Sequence, residues 1–120
     1  MMLNGGTLDG QRLLSPTTVR YMASDHLGTS ITPIPLQPGE VGLASKGYTF
    51  GLGFAVRQSD GIAGTAGSAG DYTWAGYSGT YFWIDPKAQL AVVYLTQAPS
   101  PNRSYFRRMM RNLVYQSIVY

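Results

Sequence analysis

The sequence predicts an α+β fold, an antiparallel sheet of about four strands covered by a C-terminal helix, and three observations carry that reading. Fifteen glycines and nine tyrosines, with only 12% charged residues among 120, favour β-structure with many turns over a helical bundle. Leu90 to Thr96 is an unbroken apolar and β-branched run of strand length, the pattern of a strand buried on both faces and central in its sheet. After Pro99 and Pro101, Phe106, Met109, Met110, Leu113, Val114 and Ser117 share one helical face, while Arg103, Arg107 and Arg111 fall mostly on another. An apolar fraction of 44% supports a core of ordinary size, so residues 1–120 read as one unit.

Met1 to Leu3 followed by Asn4, Gly5 and Gly6 reads as the end of a helix whose body is expected upstream of the chain, because so few residues cannot nucleate one. Asp9-Gly10 signals a tight hairpin within 7–14. Ser15 then serves as N-cap and Pro16 as first helical residue, with Leu14 stapled onto Val19, for a helix over 16–25. Continuing that period places Val19, Met22, Ala23 and His26 on one face, which makes His26 a hydrogen-bonded packing residue on the buried side or its edge.

Residues 27–47, with Pro33, Pro35 and Pro38, read as a long loop suited to flank a pocket. Tyr48 to Arg57 reads as one strand whose Gly51 and Gly53 allow a close neighbour, and Gly61, Gly64, Gly67 and Gly70 as a flexible connector. Strands follow at 72–75 and 80–84 around a tight turn from Gly76 to Gly79, and Asp85-Pro86-Lys87 closes the second. A strand at 90–96 and a helix at 103–118, its apolar side on the sheet and its arginines solvated, complete the chain.

Several chemistries are excluded. The net charge of +3 has its excess near Arg103, Arg107, Arg108 and Arg111, without the dense stripe or motif of a nucleic-acid binder. With no cysteine and a single histidine, His26, neither a disulfide nor a protein-only metal site is expected, and the glycine patterns, including Gly51-Leu52-Gly53, match no phosphate or dinucleotide loop, so no cofactor is expected. No apolar run approaches the ~20 residues that span a bilayer, and no membrane partner is expected. Gly76-Tyr77-Ser78-Gly79 places its second glycine too early for a Gly-x-Ser-x-Gly elbow. The positions three before Lys46 and Lys87 hold Leu43 and Ile84, so no Ser-x-x-Lys is present. The acidic residues, Asp9, Asp25, Glu40, Asp60, Asp71 and Asp85, sit mostly in turns and form no visible catalytic pair.

The order of Leu-Asn-Gly-Gly (3–6), Leu-Asp-Gly (8–10), Arg-Leu-Leu-Ser-Pro-Thr-Thr-Val (12–19), Asp-His-Leu-Gly (25–28), Tyr-Thr-Phe-Gly-Leu-Gly-Phe (48–54) and Gly-Thr-Tyr-Phe-Trp-Ile-Asp-Pro (79–86) resembles the C-terminal third of class C β-lactamase-like proteins, within the penicillin-binding-protein superfamily. The nearest likeness is to family VIII carboxylesterases, and it covers nearly the whole chain. The resemblance implies a serine hydrolase whose N-terminal catalytic portion, with Ser-x-x-Lys and a tyrosine motif, precedes these residues. Trp74-Ala75-Gly76 then stands where the family carries Lys-Thr-Gly, so Trp74, Ala75 and Gly76 line the substrate pocket and the Tyr77 N–H is the catalytic oxyanion donor. Tryptophan in place of lysine removes the cation that holds a substrate carboxylate, which favours a neutral ester over a lactam. Trp74 reads equally well as a core aromatic on a half-buried strand.

On this reading a small ester or lactam is the substrate of the intact parent alone, and the chain by itself is inactive. The alternative is a noncatalytic interaction or structural module derived from the same fold. The resemblance also pairs the 90–96 strand with an N-terminal strand, leaving an edge that no proline or lysine blunts, so a homo-oligomer or the N-terminal complement is expected to cover it.

Overall fold

The computed structural model describes residues 1–31, 40–41 and 45–119. Its centre is a five-stranded antiparallel meander in which β3 (Tyr48–Phe50), β4 (Ala55–Arg57), β5 (Tyr72–Ala75), β6 (Tyr81–Asp85) and β7 (Leu90–Tyr94) lie side by side in chain order. Before it come a hairpin, β1 (Thr7–Leu8) and β2 (Gln11–Arg12), and a short helix, α1 (Pro16–Met22). A longer helix, α2 (Arg103–Gln116), crosses one face. The fold is thus the α+β sheet-and-helix arrangement that the composition and periodicity indicate.

Local chemistry sets each early element. Met2–Asn4 forms a 3₁₀ turn closed by Gly5 in the left-handed region, φ 59°. Asp9 and Gly10 both have positive φ, 48° and 77°, as a two-residue hairpin of right-handed strand twist requires. Ser15 accepts the Thr18 N–H at 3.0 Å, with Pro16 beside it at the helix start.

Helix α1 stops at Met22, earlier than the apolar period suggests. The Met22 carbonyl accepts the Leu52 N–H at 2.8 Å, and the Ser24 hydroxyl donates to Tyr21 O at 2.6 Å, so a distant backbone donor and a local side chain take the carbonyls a further turn would use. His26 therefore leaves the helical face. It is exposed rather than buried, its N–H donating to Phe50 O at 3.0 Å and its Nε2 lying 2.7 Å from Tyr21 O. Beside it the Thr49 hydroxyl, then the Gly28 and Leu27 N–H groups, hold the Asp25 carboxyl below the usual carboxylate range. Most of the loop expected over 27–47, including Pro33, Pro35 and Pro38, lies outside the described residues.

The single strand expected over 48–57 is two. The chain reverses between Gly51 and Phe54, whose N–H and C=O join at 2.8 Å, and pairs Tyr48 with Arg57 and Phe50 with Ala55, which raises the strand count to five. Gly51 does permit a close approach, since a Cβ there would sit 2.1 Å from Met22 O. Strand β7 is an edge, not a centre: among the described residues it pairs only with β6, and Val93 and Leu95 are 69% and 79% exposed.

The largest departure is the roll of α2. Arg107 and Arg111 face the sheet and are 4% and 1% exposed, while Phe106, Met109 and Leu113 point outward. Asp71 dictates this. It is fully buried, forms an ion pair with Arg57 Nε at 2.7 Å, and accepts from Arg111 Nη2 on the same oxygen. Arg111 also donates to Tyr81 OH at 2.9 Å and lies over the Trp83 and Tyr115 rings at 5.2 and 5.6 Å. A buried carboxylate needs cations more than the helix needs to hide its apolar stripe.

Arg57 also organises the glycine-rich connector. It donates to Asp60 O and Thr65 O at 3.0 Å each, Ala66 O at 3.1 Å and Tyr48 OH at 2.9 Å. The connector is thus wrapped on a buried cation rather than merely a flexible joint. Gly67 makes the wrap feasible, because a Cβ there would lie 2.3 Å from both Arg111 Nη2 and Asp71 Oδ2. Burial pushes the Asp71 carboxyl up and the two arginines oppose it.

Arg111→Met leaves a buried charge with one partner fewer, and urea unfolding is expected to show a loss of about 3–5 kcal/mol. At the far end of α2 the Tyr115 hydroxyl donates to Asp85 Oδ2 at 2.7 Å. Burial alone raises the Asp85 carboxyl, but the Tyr115 hydroxyl and the Ala88 N–H outweigh it and hold it low. A depressed folded-state value makes this contribution complete above about pH 4 and lost as pH falls through the folded value. Tyr115→Phe is therefore expected to reduce the acid dependence of stability below about pH 4, read as a shallower fall of urea midpoint with pH.

Candidate active-site turn

Strand β5 outruns its neighbour. The β4–β5 ladder ends at Ala55 opposite Thr73, while Trp74 and Ala75 continue on the other side, paired with Phe82 and Tyr81 of β6. Beyond Ala75 the chain turns through Gly76 to Thr80. The Gly76 N–H donates to Thr80 O at 2.9 Å, and the Gly76 carbonyl accepts the Gly79 N–H at 3.1 Å, so both backbone groups of Gly76 point towards β6.

The peptide joining Gly76 to Tyr77 is trans and planar, so the Tyr77 N–H points opposite to the Gly76 carbonyl, to the side where β4 has ended. Among the described residues this N–H has no hydrogen-bond partner. The turn needs its glycines for space: a Cβ on Gly76 would sit 2.2 Å from Thr80 Oγ1, and Gly79 has φ 99° with its Cβ position 2.9 Å from Thr96 Cγ2. From the chain beyond β7, the Ala98 N–H donates to Ser78 O at 2.9 Å and ties down the tip.

Two concavities flank the turn. One, of about 340 Å³, lies mainly on the sheet face away from α2 and is bounded by Trp74, Phe82, Val93 and Leu95, reaching Gly76 and Thr80. It is predominantly apolar. The other, of about 330 Å³, is bounded by Glu40, Val41, Ala75, Tyr77, Arg103 and Arg107. Trp74 is half-buried, edge-on to Phe50 at 5.3 Å between ring centroids. The Tyr77 side chain is 79% exposed, with the Arg103 guanidinium 5.5 Å from its ring centre, and Arg103 lies 3.9 Å from Glu40.

Trp74, Ala75, Gly76 and Tyr77, read from the sequence as site residues, follow one another from the end of β5 into the turn, with Trp74, Ala75 and Gly76 bordering the first concavity and Ala75, Gly76 and Tyr77 the second. What the sequence reading missed is Arg107, placed there on a solvated face. Its Nη2 donates to Gly76 O and, at 3.2 Å, to Thr80 O, and its Nε to Gly79 O at 3.3 Å. Burial, and Arg103 beside it, push the Arg107 guanidinium down from an ordinary value so high that it stays charged. No sequence pattern announces a cation whose partners are main-chain carbonyls. Among the described residues no cluster of three or more His, Cys, Asp or Glu side chains is placed to hold a metal ion.

An antiparallel meander crossed by a C-terminal helix is the sheet portion of a β-lactamase-like fold. The Beta-lactamase family model matches residues 2–116, and the chain belongs to that family, corresponding to its C-terminal portion. Protein Rv1367c of Mycobacterium tuberculosis is 36% identical over 102 residues, which cover 81% of this chain and 24% of that protein. The chain therefore spans about a quarter of the length of the curated relatives it matches. Among solved structures, simvastatin synthase LovD from Aspergillus terreus, in its LovD6 mutant form, superposes with a TM-score of 0.72 at 23% identity, over 96% of this chain and 31% of that one. EstCE1, a hydrolase with promiscuous acyltransferase activity, superposes with a TM-score of 0.70 at 26% identity, over 95% and 27%.

Gly76→Ala is expected to lower stability by about 1–3 kcal/mol through the clash with Thr80 and to shift the Tyr77 and Thr80 amide resonances. Thr80→Ala added to it removes Oγ1 and leaves the new methyl an ordinary contact with the remaining Cβ at 3.6 Å, so the double variant is expected to recover most of the loss.

Proposed function

We propose that this chain supplies one wall of the acyl-transfer site of a serine hydrolase, with the Tyr77 N–H as one of two oxyanion donors. The observation that supports this most directly is the Tyr77 amide, without a partner among the described residues and aimed beyond the end of β4 between two concavities. A backbone donor held in a turn needs no reorganisation when a carbonyl oxygen gains charge, and in an intact site is worth about 2.7–4 kcal/mol. The nucleophilic serine and its lysine come from a segment outside these 120 residues. Serine attack on the ester carbonyl forms the acyl-enzyme as the ester C–O bond breaks and the alcohol leaves with the serine proton, and water then cleaves the acyl–serine bond to release the acid and restore the serine hydroxyl.

Trp74, Ala75 and Gly76 line the substrate side. Trp74 stands where a β-lactamase has a cation for the substrate carboxylate, and the cavity beside it is mainly apolar, so a neutral small ester is favoured over a lactam. The description of EstCE1 as a hydrolase with acyltransferase activity supports the same chemistry. The exposed stripe of Phe106, Met109 and Leu113 and the β7 edge, unpaired among the described residues, favour an N-terminal complement as partner, with a homo-oligomer as the alternative cover.

The test is hydrolysis of a chromogenic short-chain ester, with nitrocefin as the lactam comparison. The chain alone is expected to show none, and the chain joined to a family segment carrying Ser-x-x-Lys is expected to hydrolyse the ester faster than the lactam. In the joined enzyme Tyr77→Pro, which removes the N–H, is expected to lower kcat by roughly 10²–10³-fold with KM little changed, whereas Tyr77→Ala keeps the donor and most of the rate. Turnover by the repurified chain alone would contradict this reading. Light scattering at micromolar concentration is expected to show self-association of the chain alone and its loss in the joined form.

A further inference from the structure

The Gly76 carbonyl and the Tyr77 N–H are two ends of one planar group, so whatever fixes the carbonyl also aims the amide. Both lone pairs of that carbonyl are engaged, one by Gly79 N–H at 3.1 Å and the other by Arg107 Nη2. Arg107 reaches it from the second turn of α2 and is 4% exposed. Among the described residues all its hydrogen bonds go to carbonyls of this one turn, those of Gly76, Gly79 and Thr80. Among the described residues no carboxylate lies within ion-pair distance of it, in contrast to Arg111 one turn later, which is matched to Asp71.

A buried cation whose partners among the described residues are all carbonyl oxygens is an expensive way to brace a turn. It has a consequence that a neutral brace would lack. A cation on a carbonyl oxygen draws electron density through the peptide and makes the N–H at the far end a stronger donor, the cooperative effect that runs along hydrogen-bonded chains. The far end here is the Tyr77 N–H, and trans geometry turns it away from the cation towards the open side of β5.

We propose that Arg107 is a positioning residue for the oxyanion donor, aiming the 76–77 peptide and polarising it so that the Tyr77 N–H is a strengthened donor. The catalytic half of this statement rests on the oxyanion role proposed above, whereas the hold of Arg107 on the peptide does not.

The two halves are tested separately. The first measurement is the amide spectrum of the 120-residue chain labelled with ¹⁵N, for Arg107→Met, Arg107→Lys and, as a control that removes an equal charge without touching the turn, Arg108→Met. Arg107→Met is expected to move the Tyr77 amide upfield in both nitrogen and proton, Arg107→Lys to move it part of the way, and Arg108→Met to leave it in place. Should Arg107→Met fail to fold, the Arg107→Lys shift decides alone. A Tyr77 amide that stays put while unfolding shows lower stability would reduce Arg107 to a structural brace and overturn the proposal.

The second measurement is ester hydrolysis by the chain joined to its nucleophile segment. Arg107→Met is expected to lower kcat, by less than the roughly 10²–10³-fold that follows outright loss of a donor, with KM little changed and partial rescue by lysine. If the Tyr77 amide shifts as expected but Tyr77→Pro leaves kcat intact, the oxyanion role fails while the hold of Arg107 on the peptide stands.

Discussion

Asp71 is fully buried, and two guanidinium groups converge on one of its oxygens, Arg57 from β4 and Arg111 from α2. That three-residue charge cluster ties together the parts of the molecule that sheet pairing alone leaves independent. Arg57 carries the connector between β4 and β5 on its remaining donors, and Arg111 carries the helix. Because the carboxylate is desolvated, the cations must approach closely, and the rotation of α2 about its axis follows. Arg107 lies one helical turn before Arg111 and so arrives on the same face, at the end of β5. The position of the candidate site is in this sense set by an acid that is not part of it.

The elements most legible in the sequence are those governed by local chemistry. Ser15-Pro16, Asp9-Gly10 and the Gly76–Gly79 turn each announce a backbone geometry that few residue types satisfy, and each is found where its residues indicate. The likeness in motif order also located the family, since several weak signals in sequence are jointly specific.

The elements misread were those decided at a distance. Tyr48 to Arg57 is mostly aromatic and aliphatic, spaced by Gly51 and Gly53, and nothing in that pattern shows that the Met22 carbonyl will claim Leu52 and help fix the reversal. The end of α1 is misplaced for the same reason, because apolar spacing continues to His26 and does not show the competing donors that take the Tyr21 and Met22 carbonyls. Helix α2 is the most instructive case. Its apolar stripe of Phe106, Met109 and Leu113 is a correct reading of periodicity, but periodicity weighs hydrophobicity and cannot see Asp71 waiting on the sheet, 40 positions from Arg111 in sequence. Trp74, Ala75, Gly76 and Tyr77 were legible as a strand end and turn, whereas the cation beneath them was not.

The meander order of the sheet has a bearing on how the chain acquires its shape. Every strand of the central sheet pairs with its neighbour in sequence, so apart from the 58–71 connector each ladder closes only a short loop and the sheet can grow hairpin by hairpin at modest entropic cost. The contacts of α2 span far more chain, with Arg107 reaching back 31 positions to Gly76 and Arg111 reaching back 40 to Asp71. Helix docking is therefore the high-contact-order event, and a sheet assembled before it holds Asp71 beside Arg57 alone. The order of assembly that topology favours makes the charge cluster the last thing completed, a latch closed by the final helix after the strands have met.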